Sequence, residues 1–219
     1  MFGGHLARLF YAQSRISRLL AEANSYCAIL ILDMTQPFCG QRISIVGTSG
    51  SGKTTLARQI SQVLQMPHIE LDALQWEPNW TTAEPALFRS RVEQALQGDR
   101  WVVDGNYSKV RDLVWGRADT VIWLDYAFPV VFRRIFSRTL WRGITNQELW
   151  NGNRETLKRS FNQDSMILWV LRTYHRRRKE YPVLLARSDY AHLKQIRLHS
   201  PKSTTDWLLA LSQQSEAKI

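Results

Sequence analysis

Two patterns of apolar residues alternate along most of this chain. Short runs rich in Val and Ile predict buried strands, and longer segments with apolar residues every three or four positions predict amphipathic helices. The strands are predicted at residues 42–46, 68–72, 101–104, 120–125 and 195–198. The helices are predicted at residues 53–64, 81–98, 108–115, 129–141, 164–181 and 205–213. This alternation indicates an α/β fold whose parallel sheet is covered on both faces and binds ligands at the carboxyl ends of its strands.

Capping and helix-breaking residues define several of these helix ends. Thr81 followed by Glu84 has the spacing of a capping box, which predicts the start of the helix that runs to Gly98. Pro129 is suited to the first position of the next helix. A long helix is predicted from Asp164, as its cap, to the residue before Pro182.

The first forty residues differ from the rest of the chain. They are poor in acidic residues and carry Arg8, Arg15 and Arg18 on a weakly amphipathic stretch, which loosely resembles an organellar transit peptide. The favoured interpretation is a dispensable or disordered extension over residues 1–40, with Met34 as the true start. The length of the remainder, residues 41–219, suits one compact domain.

Cysteine and apolar content favour a cytoplasmic protein without a membrane span. Cys27 and Cys39 form neither a metal-ligand pattern nor a disulfide framework, so a reducing compartment is expected. No apolar run reaches the roughly 18–20 residues that a transmembrane helix needs. The histidines share no ligand spacing, and the sequence assigns no role to His68, His175, His192 and His199.

A glycine-rich segment between the first predicted strand and helix carries the clearest chemical signal. It reads Gly47-Thr-Ser-Gly-Ser-Gly-Lys-Thr-Thr55 and fits the P-loop pattern G-x-x-x-x-G-K-[ST]. Glycines let backbone N–H groups surround a phosphate, and the helix N-terminus adds favourable dipole. Lys53 would reach the β- and γ-phosphates of ATP, and the hydroxyl of Thr54 would bind Mg²⁺. The predicted nucleotide-binding residues are Gly47, Thr48, Ser49, Gly50, Ser51, Gly52, Lys53, Thr54 and Thr55.

Three acidic residues at predicted strand ends compete for the roles that a P-loop requires. Asp104 follows an apolar run and precedes Gly105, so we expect it beside the metal with Thr54. Asp72 ends the strand after the P-loop helix, where it could accept the proton of an acceptor hydroxyl or orient it. Asp125 could cap the following loop. Each of the three could also be a simple turn or cap residue.

The positive charge of the chain is unevenly distributed. The formal net charge is +10, and residues 129–219 hold seventeen basic and seven acidic residues. Arginines commonly stabilise the charge that develops in phosphoryl transfer, and Arg138 and Arg154 are the candidates for this role. Two sets of basic residues share helix faces: Arg134, Arg138 and Arg142, and Arg172, Arg176 and Lys179. Arg177 and Arg178 are expected on solvated faces.

Two tryptophans follow the predicted second strand. Trp76 and Trp80 lie in a loop that contains Pro and Asn. They could stack on a ring of the acceptor. Packing of a lid loop against the core is an equally good explanation.

The chain from about residue 41 resembles the adenylate-kinase-like small P-loop kinases, and within them the bacterial DNA topology modulation proteins of the FlaR type. The resemblance rests on residues 47–55, 69–73, 103–108, 119–125 and 148–154. It implies a three-layer α/β/α core with a five-stranded parallel sheet and a helical, Arg-rich lid at about residues 142–164. One departure is clear: adenylate kinases follow the third strand with Asp-Gly-Phe-Pro-Arg, whose Arg helps hold the acceptor monophosphate. Here the same place reads Asp104-Gly-Asn-Tyr-Ser108, with no Arg until Arg111, which argues against AMP as acceptor.

The favoured function is therefore an ATP- and Mg²⁺-dependent kinase that phosphorylates a small acceptor, with nucleoside monophosphates among the candidates. In this hypothesis Lys53, Asp72, Arg138 and Arg154 are catalytic, and Thr54 and Asp104 bind the metal. The alternative is a nucleotide-sensing regulator that binds nucleic acid, which the clustered positive charge suggests. No helix-turn-helix, zinc or OB pattern supports that alternative. A nucleotide-hydrolysing switch is less favoured, because the guanine-specifying Asn-Lys-x-Asp sequence is absent.

Overall fold

A five-stranded parallel sheet forms the centre of the structure, in the strand order β2-β5-β1-β6-β7. The computed structural model describes residues 40–145, 147–154 and 166–216. The predicted N-terminal extension, apart from Gly40, lies outside these ranges, as do residues 146 and 155–164 of the predicted lid. The strands are β1 (Arg42–Gly47), β2 (His68–Glu70), β3 (Trp76–Glu77), β4 (Thr81–Thr82), β5 (Trp101–Asp104), β6 (Thr120–Leu124) and β7 (Lys194–Leu198).

Helices connect the strands and cover the sheet on both faces. They are α1 (Lys53–Leu64), α2 (Leu71–Gln75), α3 (Pro85–Ala95), α4 (Arg111–Arg117), α5 (Phe128–Thr145), α6 (Met166–Leu185) and α7 (Pro201–Glu216). Single 3₁₀ turns lie at Pro78–Trp80, Ser108–Val110, Trp150–Gly152 and Ser188–Tyr190. β3 and β4 form a separate antiparallel ribbon. The predicted fold class is confirmed: this is a three-layer α/β/α P-loop fold with a five-stranded parallel sheet.

The three central strands are buried along nearly their whole length. Their side chains alternate between the two faces, as strand geometry requires. Trp101 and Val103 of β5 join Val121 and Trp123 of β6 in a cluster with residues of α3, α4 and α6. Buried runs on both sheet faces are typical of parallel sheets and explain why these strands are the clearest in the sequence.

Several predicted boundaries are wrong in ways that have physical explanations. The cap of α3 is Glu84, whose carboxylate accepts hydrogen bonds from the backbone N–H groups of Ala86 and Leu87, and Thr81 belongs to β4. Pro85 then occupies the first helical position, where its missing N–H has no cost. Pro182 lies inside α6, which continues to Leu185.

Two further differences bear on the site. β2 ends at Glu70, so Asp72 lies in the first turn of the short helix α2 and not at the end of a strand. α5 runs to Thr145, four residues beyond its predicted end, and takes up the start of the predicted lid. Asp164, the predicted cap of the long helix, lies outside the described residues.

Asp125, directly after β6, joins three elements. Its side chain is 1% exposed and pairs with Arg178 of α6 at 2.7 Å and with Arg197 of β7 at 2.6 Å. The Arg197 guanidinium also lies over the ring of Trp123, 4.3 Å from its centre. Asp125 is therefore an ion-pair centre and more than a loop cap. Arg178, predicted on a solvated face, is one of its two main partners.

No helix in the described ranges is both long and apolar enough to span a bilayer.

Replacing Asp125 should destabilise the fold measurably. Asp125→Ala is expected to lower the free energy of unfolding by about 2 kcal/mol, because charge-assisted hydrogen bonds to a buried carboxylate are lost. Asp189→Ala is the matched control, since Asp189 pairs with Arg187 at the surface and should contribute less than about 1 kcal/mol. Denaturant unfolding measures both, and equal losses would contradict the central role of Asp125.

Candidate active site

The predicted P-loop connects β1 to α1 and has the geometry of an anion cradle. Gly47 and Gly50 have φ values of +151° and +85°, in the region that favours glycine. A Cβ atom at Gly47 would lie 2.8 Å from the carbonyl oxygen of Leu124, so no side chain fits there. The hydroxyl of Ser51 is buried and has no hydrogen-bond partner among the described residues. The loop therefore offers an unpaired hydroxyl close to the N-terminus of α1, at the position where a P-loop holds phosphate.

Thr54 and Asp104 lie together beside the P-loop. The Thr54 hydroxyl, in the first turn of α1, donates to Oδ2 of Asp104 at 2.6 Å. Asp104 ends β5 and is buried. A hydroxyl and a carboxylate are the hard oxygen ligands that Mg²⁺ prefers, so the residues that the sequence singled out fit this metal.

His68 is a neighbour of Asp104 that sequence reasoning missed. Its Nε2 lies 2.8 Å from Oδ1 of Asp104, and its Nδ1 lies 3.9 Å from a carboxylate oxygen of Glu70. The Asp104 carboxylate is thus held on both oxygens, by His68 and by Thr54. The parallel pairing of β2 with β5 brings His68 there, and the spacing of histidines along the chain contains no sign of it.

Lys53 lies among several charged groups. Burial, together with the charges of Arg177 and Arg138, lowers its pKa to about 8, against the opposing effect of Asp104 and Asp72. Its ammonium group donates to the carbonyl oxygen of Thr48 at 3.4 Å. A desolvated ammonium at the base of the loop gains most when an anion binds next to it.

Asp72 is a second carboxylate within electrostatic range of Lys53, and it is half-buried. Burial raises its pKa, while a hydrogen bond from Tyr107 and the charge of Lys53 lower it in part. The Tyr107 hydroxyl donates to Oδ1 of Asp72 at 2.5 Å. The environment of Asp72 therefore favours proton uptake more than that of a surface carboxylate does.

The turn after β5 connects these groups. The side chain of Asn106 binds both the N–H and the carbonyl oxygen of Gly47, and its Oδ1 also accepts from the Tyr181 hydroxyl at 2.9 Å. Gly105 has a φ of +146°, and a Cβ there would lie 2.7 Å from the Leu71 side chain. Residues 104–108, where the sequence departs from the adenylate-kinase pattern, thus hold the P-loop and Asp72 in place.

The predicted arginines divide into two groups. Arg134 donates to the carbonyl oxygen of Ser51 at 3.0 Å, and Arg138 lies within electrostatic range of Lys53 and Asp72. Arg154 instead pairs with Glu148 at 3.1 Å. The structure thus brings Arg138, but not Arg154, to Lys53.

Arg177 lies where the sequence did not predict it. It was expected on a solvated face, but it is largely desolvated and within electrostatic range of Lys53 and Tyr107. The sequence carries no signal that distinguishes it from Arg176 and Arg178 in the same basic run. Only the rotation of α6 decides which of the three faces inward.

The described part of the predicted lid beyond α5, residues 147–154, packs against the β3–β4 ribbon and its surroundings. Trp150 donates to Glu70 at 2.9 Å, and the side chain of Asn153 binds the backbone of Glu77 and of Trp80. Trp80 also meets Trp76 edge-on, with ring centres 5.5 Å apart. These contacts favour the packing explanation for the two tryptophans over stacking on an acceptor.

Comparisons with known proteins agree with the fold. Residues 43–125 match the family model described as the ATPase family associated with various cellular activities (AAA), which is less than half of the chain. The match runs from β1 to the residue after β6 and includes the P-loop. No curated protein sequence matches the chain.

Solved structures with similar folds include small kinases. A shikimate kinase from Bacteroides thetaiotaomicron is 15% identical, covers 81% of this chain and 99% of its own length, and has a TM-score of 0.47. A gluconokinase from Sinorhizobium meliloti 1021 is 18% identical, with coverages of 84% and 97% and a TM-score of 0.46. At these identities and TM-scores, the similarity gives neither an activity nor a substrate for this chain.

The affinity for a non-hydrolysable ATP analogue should fall as the pH rises through about 8. The pKa of Lys53 in the free protein is about 8, and a bound polyphosphate raises it, because opposite charge favours the protonated form. The contribution of the Lys53 charge to the affinity for the analogue is therefore complete below this pH and is lost progressively above it.

Isothermal titration calorimetry across this pH range measures the effect. Lys53→Met should bind more weakly and lose this pH dependence. Lys202→Met is the control, since Lys202 is 84% exposed and pairs with Asp206, and it should keep the wild-type profile. A pH dependence that survives in Lys53→Met would contradict the assignment.

Proposed function

We propose that this chain is an ATP-dependent phosphotransferase, a kinase of the adenylate-kinase-like type that transfers the γ-phosphate of ATP to a hydroxyl group of a small acceptor. The observation that carries the proposal is the position of Asp72. It is a half-buried carboxylate within electrostatic range of Lys53 and is distinct from the Thr54–Asp104 pair. Metal binding accounts for Asp104 alone, whereas transfer to an acceptor also needs a group that takes the hydroxyl proton.

The donor half of the mechanism uses the P-loop. Its backbone N–H groups and Lys53 would hold the phosphates of ATP, and Thr54 and Asp104 would hold Mg²⁺. When bound, the metal neutralises charge on the phosphate oxygens. His68 keeps the Asp104 carboxylate oriented toward Thr54.

The acceptor half uses Asp72. A hydroxyl oxygen of the acceptor forms a bond to the γ-phosphorus, the bond from that phosphorus to the bridging oxygen breaks, and ADP leaves. Asp72 takes the hydroxyl proton, for which its raised pKa is suited. Tyr107 holds the carboxylate in one orientation.

Arg138 stabilises the charge that develops during transfer. The proposal is supported by its electrostatic effect on both Lys53 and Asp72, one group from each half of the reaction. Arg154 pairs with Glu148 instead, and this contact does not support a catalytic role for it. Arg138 is therefore the better supported of the two predicted catalytic arginines.

Membership of the FlaR-type group is a further part of the proposal. It is supported by the roles of Asn106 and Tyr107 in the Asp-Gly-Asn-Tyr-Ser motif, which make specific contacts to the P-loop and Asp72. The nucleic-acid-binding alternative gains no observation of its own. Arg134 is used at the P-loop, and Arg178 and Arg197 are paired with Asp125.

A coupled ADP-release screen across nucleoside monophosphates, nucleosides and small hydroxylated metabolites tests the proposal. At least one acceptor should stimulate ADP release. Lys53→Ala should abolish turnover without loss of the fold, and Asp72→Asn should lower the acceptor-stimulated kcat by about 100-fold or more while leaving ATP affinity within about twofold. Arg176→Gln, which removes an exposed pair with Glu180, serves as control. Normal turnover in Lys53→Ala would contradict the proposal.

Removing the Tyr107 hydroxyl should shift the pH profile of the stimulated reaction. The hydrogen bond from Tyr107 favours the charged form of Asp72, so Tyr107→Phe raises the pKa of Asp72 further. The acid limb of the kcat/KM profile should therefore move to higher pH. A Tyr190→Phe variant, outside the site, should keep the wild-type limb. An unshifted acid limb in Tyr107→Phe would contradict the role of Asp72 as the base.

A further inference from the structure

The helix that carries Asp72 is too short to keep its own place. α2 (Leu71–Gln75) has five residues. Isolated helices shorter than about 12–15 residues are marginal in water, and in proteins most of their stability comes from packing against other elements. The position of the Asp72 carboxylate therefore depends on the contacts that other parts of the protein make with α2 and with the residues on either side of it.

Residues 148–154, between α5 and α6 in the chain, form a compact turn. Its two ends, Glu148 and Arg154, pair as an isolated antiparallel β-bridge. At its tip Asn151 and Gly152 have φ values of +55° and +75°. Glycine adopts this conformation freely, and asparagine tolerates it better than most other residues do. The sequence of the tip is therefore suited to the conformation from which the side chain of Asn151 projects.

Two adjacent residues of this turn contact the two ends of α2. The ring N–H of Trp150 donates to a carboxylate oxygen of Glu70, directly before α2, at 2.9 Å. The side-chain amide of Asn151 donates to the carbonyl oxygen of Trp76, directly after α2, and to that of Ala73, within it, at 3.5 Å. The last carbonyl groups of a helix have no partner inside the helix, so a side-chain donor is well placed there. The segment that carries the proposed base is thus bound before and after it.

A third residue of the turn fixes it on the β3–β4 ribbon. The buried side chain of Asn153 donates to the carbonyl oxygens of Glu77 and Trp150, each at 2.9 Å. Its oxygen accepts from the backbone N–H of Trp80 at 2.6 Å. Separation of the turn from the ribbon would leave these buried polar groups without partners, which is costly. The turn is therefore held firmly enough to act as a support for α2.

We propose that Trp150 and Asn151 are positioning residues for phosphoryl transfer, which hold α2 in place and with it the Asp72 carboxylate. This inference rests on the proposed kinase function and deepens it. Tyr107 orients the carboxylate through its hydrogen bond, and the turn fixes the backbone from which the carboxylate projects. A proton acceptor must lie within about 2.6–3.2 Å of the reacting hydroxyl, and a displacement of about 1 Å can lower the rate about 100-fold.

Variants of the turn should affect the transfer step and not the binding of ATP. Asn151→Gly keeps the positive φ of the backbone and removes the amide, and Trp150→Phe keeps an aromatic ring and removes the N–H donor. Each should lower the acceptor-stimulated kcat about tenfold and leave the ATP KM within about twofold. Glu148→Gln is the matched control in the same turn. It removes the exposed pair with Arg154 and should change kcat less than about twofold.

A double-mutant cycle separates positioning from a general loss of stability. If the turn acts through Asp72, the Asn151→Gly substitution should lower kcat by less than about twofold in an Asp72→Asn background, because the group that it positions is already missing. A turn that supports only the fold would lower kcat by the same factor in both backgrounds. That result, or a rise in the ATP KM with kcat unchanged, overturns the inference. Thermal unfolding confirms that each variant is folded at the assay temperature.

Hydrogen exchange tests the support of α2 without an acceptor. In Asn151→Gly and in Trp150→Phe, the backbone amides of residues 71–76 should exchange about tenfold faster, and those of β1 and β5 should be unchanged. Glu148→Gln should keep the wild-type rates at all of these positions. Unchanged exchange of residues 71–76 in both variants overturns the inference, whatever the activity. Stimulation of ADP release by no acceptor contradicts the kinase function instead, while the exchange rates still decide whether the turn holds α2.

Discussion

Strand β1 is hydrogen-bonded to β5 on one side and to β6 on the other, and all three run in the same direction. In this register Ile45 lies opposite Asp104, and Gly47 lies opposite Leu124. The P-loop therefore leaves the sheet just beyond the level at which the Asp104 carboxylate ends β5. A shift of one residue would turn Asp104 to the other face of the sheet and away from Thr54. The buried, two-sided packing of these strands is what prevents that shift, so the core of the fold also fixes the geometry of the proposed metal-binding pair.

The turn that follows β5 connects the two halves of the site. Asn106 is bound to the first glycine of the P-loop, and Tyr107, the next residue, is bound to Asp72. Gly105 permits the close approach to Leu71 that brings α2, and with it Asp72, against this turn. One short segment thus sets the distance between the proposed donor and acceptor groups. Adenylate kinases use the same place for an arginine that holds the acceptor, and here its residues position other parts of the protein.

The sequence predicts the layers, the strands and the P-loop because each depends on local pattern. The runs that form β1, β5 and β6 are apolar because both of their faces are buried. Groups that meet through tertiary structure could not be predicted in the same way. His68 reaches Asp104 through strand pairing, and only the rotation of α6 turns Arg177 inward between two other arginines. Pro182 misled the prediction because a helix can continue past a proline when its packing is strong enough to offset the lost hydrogen bond.

The positions of the side chains explain much of the net charge of +10 without a nucleic-acid partner. Some of the basic residues of the C-terminal half are neutralised inside the molecule, such as Arg178 and Arg197 at Asp125. Others lie near the carboxyl edge of the sheet, where Asp72 and Asp104 are the carboxylates with the largest effect on Lys53 among the described residues. The cations at this edge are Lys53, Arg111, Arg134, Arg138 and Arg177. Desolvation strengthens their combined field, and a field of this sign stabilises a bound anion. A polyphosphate held by the P-loop is such an anion, so the positive charge near this edge supports the proposed ATP site and needs no nucleic acid to explain it.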